Sequence, residues 1–215
     1  YKWTVQNGNL NPATPANGAT IEVTWNTVGT GTVTLMKWHT GTQCTTTVSQ
    51  DVNITERPAP AISGLTGVCG DDTETYSTPA VVGNNYAWTV TGNGTLVSGA
   101  NANQAIVNFT NPASVTPGTA TITVTETNTL SGCAATASVD VTVNYMPQAT
   151  EINGESTVCN NSVKTYSIAG EPAGIDYQWS VTGGSIVVDN GSSIDVEWSA
   201  EGNQTVMVVV STPNS

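Results

Sequence analysis

The stretch at residues 86–90 reads YAWTV, and two near copies of it occur in the chain, YKWTV at 1–5 and YQWSV at 177–181. In each stretch, large apolar side chains alternate with smaller or polar ones, which is the period of a β-strand with one buried face. Three occurrences in 215 residues predict a repeated β-unit rather than one large domain.

The sequence upstream of the motif repeats as well. ISGLTGVCGDDTETYS at 62–77 matches INGESTVCNNSVKTYS at 152–167 without a gap, in the frame I-x-G-x-x-x-V-C-x-x-x-x-x-T-Y-S. Downstream of the motif come IEVTW, AIVNF and IDVEW, followed in the first two cases by a Cys that precedes a final alternating strand. Four landmarks in one order make chance similarity an unsatisfactory explanation.

We therefore predict three copies of one unit. The first copy, at 1–58, lacks its first strands; the middle copy, at 59–147, is complete; and the third copy, at 148–215, lacks its last strand. Pro58 to Pro60 and Met146-Pro147 lie where the linkers fall, since Pro interrupts ladders and stiffens short connections. On this interpretation the sequence is a window in a longer array.

The spacing of the strands predicts the fold class. About seven short alternating segments in roughly 90 residues, separated by Gly, Asn and Pro turns, are typical of a two-sheet immunoglobulin-like sandwich. No segment has a helical period. The prediction is an all-β chain of tandem sandwiches, one complete and two partial.

Charge narrows the possible partners. Sixteen acidic and four basic residues give a net charge of −12, which disfavours nucleic acid as a partner because binding it requires a surface that neutralises phosphates. No stretch approaches the roughly 18 apolar residues of a membrane span.

The four cysteines allow two pairings. If the second and seventh strands start at the same end of the sandwich, Cys69 meets Cys133, and the bond contributes roughly 4 kcal/mol on the chain-entropy model. The rival scheme joins Cys44 to Cys69 and Cys133 to Cys159. We favour the first scheme, which leaves Cys44 and Cys159 with partners beyond the two ends of the sequence. Either scheme implies an oxidising compartment.

The repeated aromatic residues are predicted to form the sandwich cores, because large rings recur at inward positions of the strands. These core residues are Tyr1, Trp3, Trp25, Tyr86, Trp88, Phe109, Tyr177, Trp179 and Trp198. Trp38 differs, since the aligned positions of the middle copy are polar. An exposed Trp could stack on a sugar ring or pack on a neighbouring unit, so Trp38 is a weak candidate for glycan binding.

Catalytic and metal candidates are few. His39 has no companion residues for catalysis and is expected to be an exposed or edge-strand side chain. Asp71, Asp72 and Glu74 form the tightest acidic cluster and are a weak calcium candidate, since calcium requires several converging oxygen ligands. The third copy replaces these acids with NNSVKT, which favours a solvated loop. We expect no cofactor and no enzymatic activity.

The series V-C, T-Y-S, Y-x-W-x-V-x-G, I-x-V-x-W and G-C resembles the PKD-like repeats of very large secreted proteins in Bacteroidetes, including gliding-motility adhesins and other cargo of the type IX secretion system. The resemblance covers the whole chain. It departs from the W-D-F-G-D-G signature of the better-known PKD domains, which is here WTVTGNG and WSVTGGS. It implies an extracellular array on the cell surface, with an adhesive or stalk role.

Two functions follow as expectations. The first is a non-enzymatic structural segment of a long adhesin, whose partners are neighbouring repeats, the secretion machinery during export, and a surface polysaccharide or other cell-surface ligand. The second is an accessory carbohydrate-binding module of a secreted polysaccharide-degrading enzyme.

Overall fold

The computed structural model describes residues 1–148, 151–169 and 172–212, and every regular element in these ranges is a β-strand. A search of these ranges for a helix with the length and apolar character of a membrane span finds none. The all-β class predicted from alternation is confirmed. We describe the strands copy by copy.

The first copy contains five strands, which form a sheet β1-β4-β5 and a hairpin β2-β3. They are β1 (Lys2–Gln6), β2 (Gly8–Leu10), β3 (Val23–Trp25), β4 (Gly29–Trp38) and β5 (Thr45–Ile54).

The middle copy contains the seven strands expected of an immunoglobulin-like sandwich. They are β6 (Gly67–Cys69), β7 (Thr73–Ser77), β8 (Asn84–Gly92), β9 (Gly94–Ser98), β10 (Gln104–Phe109), β11 (Gly118–Asn128) and β12 (Ala134–Asn144). One sheet has the order β7-β10-β9 and the other the order β6-β12-β11-β8. Strands β6 and β12 run parallel, with Asn144 opposite Cys69.

The third copy repeats the first of these sheets and half of the second. Its strands are β13 (Val163–Ser167), β14 (Asp176–Val181), β15 (Gly184–Asp189), β16 (Ser193–Trp198) and β17 (Val206–Ser211). They form a sheet β13-β16-β15 and a two-stranded sheet β14-β17.

The core of the middle copy consists of inward side chains from both sheets. The ring edge of Tyr76 packs on Phe109, with centroids 6.2 Å apart, and Ile122, Val124 and Val141 are fully buried. In the third copy Tyr166 and Trp198 form the same edge contact, with centroids 5.9 Å apart. The alternation in the sequence therefore corresponds to one core design used twice.

Hydrogen bonds from the rings show why Trp and Tyr recur at the same positions of the repeats. The indole Nε1 of Trp3, Trp88 and Trp179 donates to a backbone carbonyl 12 to 15 residues downstream, at distances of 2.7 to 3.0 Å. The Tyr76 hydroxyl donates to the Leu65 carbonyl, and the Tyr166 hydroxyl to that of Glu155. Each ring thus packs in the core while its polar atom holds a loop in place through a hydrogen bond.

The predicted aromatic core residues differ in burial. Tyr86, Trp88, Phe109 and Trp198 are buried, whereas Trp3, Trp25, Tyr177 and Trp179 are half-buried. Tyr1 is exposed, with Lys37 Nζ 5.4 Å from its ring centroid, so its placement in the core is corrected. The burial is deepest in the copy that has all seven strands.

The contacts of the chain define two compact units. One comprises Tyr1–Pro60, Pro79–Tyr86 and Thr125–Thr136; the other comprises Ala61–Thr78, Ala87–Val124 and Ala137–Ser215. The first unit thus joins the first copy to one end of the middle copy, and the second joins the rest of the middle copy to the third. The boundaries of the copies drawn from the sequence remain predictions.

The predicted bond between Cys69 and Cys133 is wrong. Cys69 lies opposite Asn144 at the far end of β12, and Cys133 immediately precedes the start of that strand of 11 residues. At about 3.3 Å per residue the two are roughly 35 Å apart, whereas a disulfide requires Cα atoms within about 7 Å. All four cysteines are free and exposed, so neither pairing scheme is present.

Candidate functional site

An exposed aromatic surface of the first copy surrounds Trp38. The indole is 42% exposed at the end of β4 and lies with Lys37, His39, Cys44, Thr45 and Thr46 around a shallow depression of about 410 Å³. We call these six residues the Trp38 patch. A flat apolar ring bordered by hydroxyl and ammonium groups can stack on a sugar or pack against another protein surface.

His39 within this patch has a structural task. Its Nδ1 accepts hydrogen bonds from the backbone N–H of Gly41 and Thr42 at 3.2 and 3.3 Å. In the middle copy Asn128 does the same through Oδ1 for Leu130 and Ser131. The two side chains therefore perform one turn-capping role, and His39 is exposed as the sequence predicted.

The acidic cluster forms a tight turn after β6. Asp71 adopts a left-handed φ of 65°, and its counterpart Asn161 has a φ of 61°, a conformation that Asp and Asn tolerate. A carboxylate oxygen of Asp72 accepts the Cys69 N–H at 3.1 Å. Asp71 Oδ2 accepts a hydrogen bond from Gln148 Nε2 at 3.1 Å. These two carboxylates thus stabilise the turn and the linker that follows the middle copy.

The described residues include no group of three His, Cys, Asp or Glu side chains arranged to hold a metal ion. The calcium role of Asp71, Asp72 and Glu74 remains a prediction. Burial raises the pKa of the Tyr76 hydroxyl to about 12, and the negative charge of the nearby Glu74 is the second cause.

A buried carboxylate that was not predicted from the sequence lies in the first unit. Glu126 is only 2% exposed, and its Oε1 accepts hydrogen bonds from Asn84 Nδ2 at 2.7 Å and the Tyr86 hydroxyl at 3.5 Å. Its position on β11, two residues after the fully buried Val124, was the available signal. An acid at an inward strand position is buried, and burial requires hydrogen-bond partners.

Glu126 faces the linker between the first and middle copies. Together with Pro79, Val81, Asn84 and Asn128 it lines a small cavity of about 160 Å³ whose other wall is Glu56, Arg57, Pro58 and Ala59. Pro58 is buried there. We call this set the linker pocket. The buried Pro58 and the hydrogen-bonded carboxylate of Glu126 thus line the same small cavity.

A match to a known family covers two stretches of the chain. The sequence profile of a family described as PKD-like domain matches residues 55–143 and 146–215, well over half of the chain. Among solved structures, a marsupial T cell receptor matches with a TM-score of 0.35 and 11% sequence identity, over 86% of this chain and 70% of the receptor chain. No curated protein sequence matches the chain.

Proposed function

Because the chain belongs to the PKD-like domain family, we propose that it is a non-enzymatic structural segment of a long secreted adhesin. In this role the repeats act as a stalk or spacer that holds an adhesive region away from the cell. The proposed location is the cell surface, after export by a type IX secretion system. The main partners are then the neighbouring repeats of the same chain.

The observation that carries this proposal is the contrast between repeated interiors and unrepeated surfaces. The bonds of Tyr76 and Tyr166 and the T-shaped ring pairs recur between copies. Partly exposed polar side chains do not: Ser162 replaces Asp72, and Lys164 replaces Glu74 with the opposite charge. A site shared by all copies would repeat its polar side chains, whereas a spacer needs only its folded core.

The linker pocket also supports a stalk. A short linker with a buried Pro58 between the first and middle copies restricts bending more than a Gly- and Ser-rich linker of the same length would. Restricted bending between copies would help a stalk to hold its adhesive region away from the cell.

A length-matched replacement tests the proposal. In the full-length protein on its native cell, this segment is exchanged for unrelated immunoglobulin-like repeats of equal length, and in a control it is deleted. If the segment is a spacer, adhesion survives the exchange and falls on deletion. Loss of adhesion on exchange, with surface display unchanged, would show that the segment itself binds the ligand.

The Trp38 patch favours a second candidate function, binding of a polysaccharide. Glycan-array binding and isothermal titration calorimetry of the chain are the direct measurements. Trp38→Ala should abolish saturable binding, while Val48→Ala should leave it unchanged, since Val48 is also exposed on the same sheet but has no aromatic face. The absence of binding across a broad panel would remove this candidate.

A further inference from the structure

The chain that leaves the middle copy is held against that copy. After β12 ends at Asn144 it runs through residues 145–148, which we call the exit segment. Tyr145 is buried. The side-chain amide of Asn111 binds Met146 twice, since Nδ2 donates to the Met146 carbonyl at 2.8 Å and Oδ1 accepts the Met146 N–H at 2.9 Å. The amide thus takes the place of a backbone partner.

A further hydrogen bond holds the far end of the exit segment. Asp71 Oδ2 accepts this bond from Gln148 Nε2 at 3.1 Å. Between the two fixed residues stands Pro147, whose ring restricts its φ angle. The residues that lead from β12 toward the third copy, Met146 to Gln148, therefore keep little conformational freedom.

The position of Asn111 beside the exit segment depends on a glycine. Gly70 is buried, and a Cβ on it would lie 2.5 Å from Asn111 Cα, too close for the two residues to stay in place. The third copy has Asn160 at the position of Gly70 and Ala200 at the position of Asn111. The hold on the exit segment is thus a feature of the middle copy and not of every repeat.

The loop that carries Asn111 also contacts the third copy. Residues 110–117, which we call the bracket loop, connect β10 to β11. A Cβ on Gly174 would lie 3.2 Å from Val115 Cγ2, so the Val115 side chain reaches the backbone of the third copy. Gly174 has a φ of 91°, which favours glycine, and its lack of a side chain permits this approach. These residues all belong to the second compact unit.

We propose that the bracket loop is an interaction surface for the following repeat and fixes the orientation of the third copy on the middle copy. Asn111 holds the exit segment, Val115 packs on the third copy, and the buried Pro112 between them stiffens the loop. The joint between these two copies then bends less than a joint with a free linker. The purpose of a stiff joint rests on the proposed stalk function, but its test does not involve adhesion.

Two native cysteines allow a direct measurement of the joint. Cys69 in the middle copy and Cys159 in the third copy are exposed, and both can carry spin labels once Cys44→Ser and Cys133→Ser are introduced. Double electron–electron resonance then measures the distribution of distances between the two labels. We expect one narrow distance in this parent chain. A distribution that is already broad in the parent would overturn the proposal.

Matched variants test both contacts of the bracket loop. Asn111→Ala should broaden the distance distribution, whereas Asn108→Ala, which removes an amide bond to Thr73 Oγ1 within the same copy, should not. Val115→Ala should broaden it as well, and Thr116→Ala at the exposed next position should not. Equal widths within either pair would contradict the proposal.

Gly70→Ala perturbs the same contact from the opposite side. The added Cβ displaces Asn111, so the distribution should broaden as it does in Asn111→Ala, and the double variant should be no broader than either single variant. If Gly70→Ala unfolds the middle copy, the Asn111 and Val115 variants still test the proposal.

Hydrogen exchange gives an independent readout of the exit segment. In Asn111→Ala the Met146 amide should exchange roughly two- to tenfold faster, as expected for the loss of one hydrogen bond, while β13 and β16 of the third copy stay protected. An unchanged Met146 amide would overturn the proposal, because Asn111 would then not hold the exit segment.

Discussion

The middle and third copies share one buried framework but differ in how completely it is covered. In the middle copy Trp88 and four inward residues of β11, one of them Glu126, are buried. In the third copy Trp179 and the inward valines of β17 are only half-buried, and Trp198 retains an unpaired donor. The strand β17, VMVVVS, is more apolar than the stretch ATITVT of β11, so a lack of apolar residues does not explain the difference in burial.

The absence of a β12 counterpart among the described residues of the third copy explains it. β12 pairs with β6 and β11 at once, so it closes the sheet from both sides. Because apolar burial contributes about 25 cal/mol per Å², one strand that covers a sheet edge and the core beneath it decides whether the copy is closed. The two copies therefore share the same buried residues but differ in how many strands cover them. Four experiments test this difference.

The largest effect is expected from opening the middle copy. Val141→Asp places a charge at a fully buried position of β12, where an unpaired ion costs several kcal/mol, here roughly 3 to 5. Hydrogen exchange should show the middle copy losing protection to the level of the third copy. Thr142→Asp on the exposed face of the same strand is the control, and equal losses for both variants would mean that β12 does not cover the core.

Adding a methyl group at a repeated glycine should destabilise the two copies to different extents. A Cβ on Gly64 would lie 2.3 Å from Tyr76 Cδ1, and a Cβ on Gly154 would lie 2.3 Å from Tyr166 Cδ1. Overpacking of this kind costs about 1 to 3 kcal/mol. We expect Gly64→Ala to cost more than Gly154→Ala, since Tyr166 borders an open groove of about 670 Å³, whereas Tyr76 is fully buried.

Hydrogen exchange measures the free energy of opening in each copy, and it is compared between the two glycine variants. A larger loss for Gly154→Ala than for Gly64→Ala would contradict the view that the third copy is the less constrained one. The same contact explains why both copies of the I-x-G frame carry a Gly, since the tyrosine ring packs where a Cβ would lie.

A smaller and pH-dependent effect is expected at Tyr76. Burial and the nearby charge of Glu74 raise its pKa from 10.0 to about 12, so the folded middle copy holds the phenolic proton more tightly than the unfolded chain does. This contribution is therefore complete below pH 10 and is lost as the pH rises from about 10 to 12. Absorbance titration of the phenolates should show a late step that Tyr76→Phe removes.

At neutral pH, Tyr76→Phe should cost about 0.5 to 1.5 kcal/mol, the net value of one hydrogen bond, here the bond to the Leu65 carbonyl. Tyr166→Phe is the matched variant in the third copy, where the hydroxyl bonds the Glu155 carbonyl. A late titration step that persists in Tyr76→Phe would show that another tyrosine is responsible.

Much of this architecture was predictable from alternation and repetition. The motif YAWTV, the T-Y-S segment and the strand ending at Phe109 all became strands with the expected faces. Alternation encodes which face is buried but not strand direction. The parallel course of β6 beside β12 was therefore invisible, and the pairing of Cys69 with Cys133 failed for that reason.

The functional surfaces were less predictable because they depend on contacts between distant residues. Glu126 stands 42 residues from Asn84, and only the folded sheet brings its carboxylate to the linker pocket. Tyr1 is exposed although it occupies the same motif position as the buried Tyr86, so the motif alone does not decide burial. The Trp38 patch could be proposed from sequence, since it required only that the aligned residues of the other copy be polar.

The smallest effect is expected from the cysteines. Surface substitutions away from packed features change stability by less than about 0.5 kcal/mol, so Cys69→Ser with Cys133→Ser should barely alter urea unfolding, and Cys159→Ser in the third copy should behave alike. A bond closing the loop between positions 69 and 133 would instead contribute roughly 4 kcal/mol. Thiol titration of the native chain should find four reactive groups, as four free and exposed cysteines require. Two unreactive thiols together with a large loss of stability in the double variant would mean that Cys69 and Cys133 meet, which the parallel register of β6 and β12 forbids.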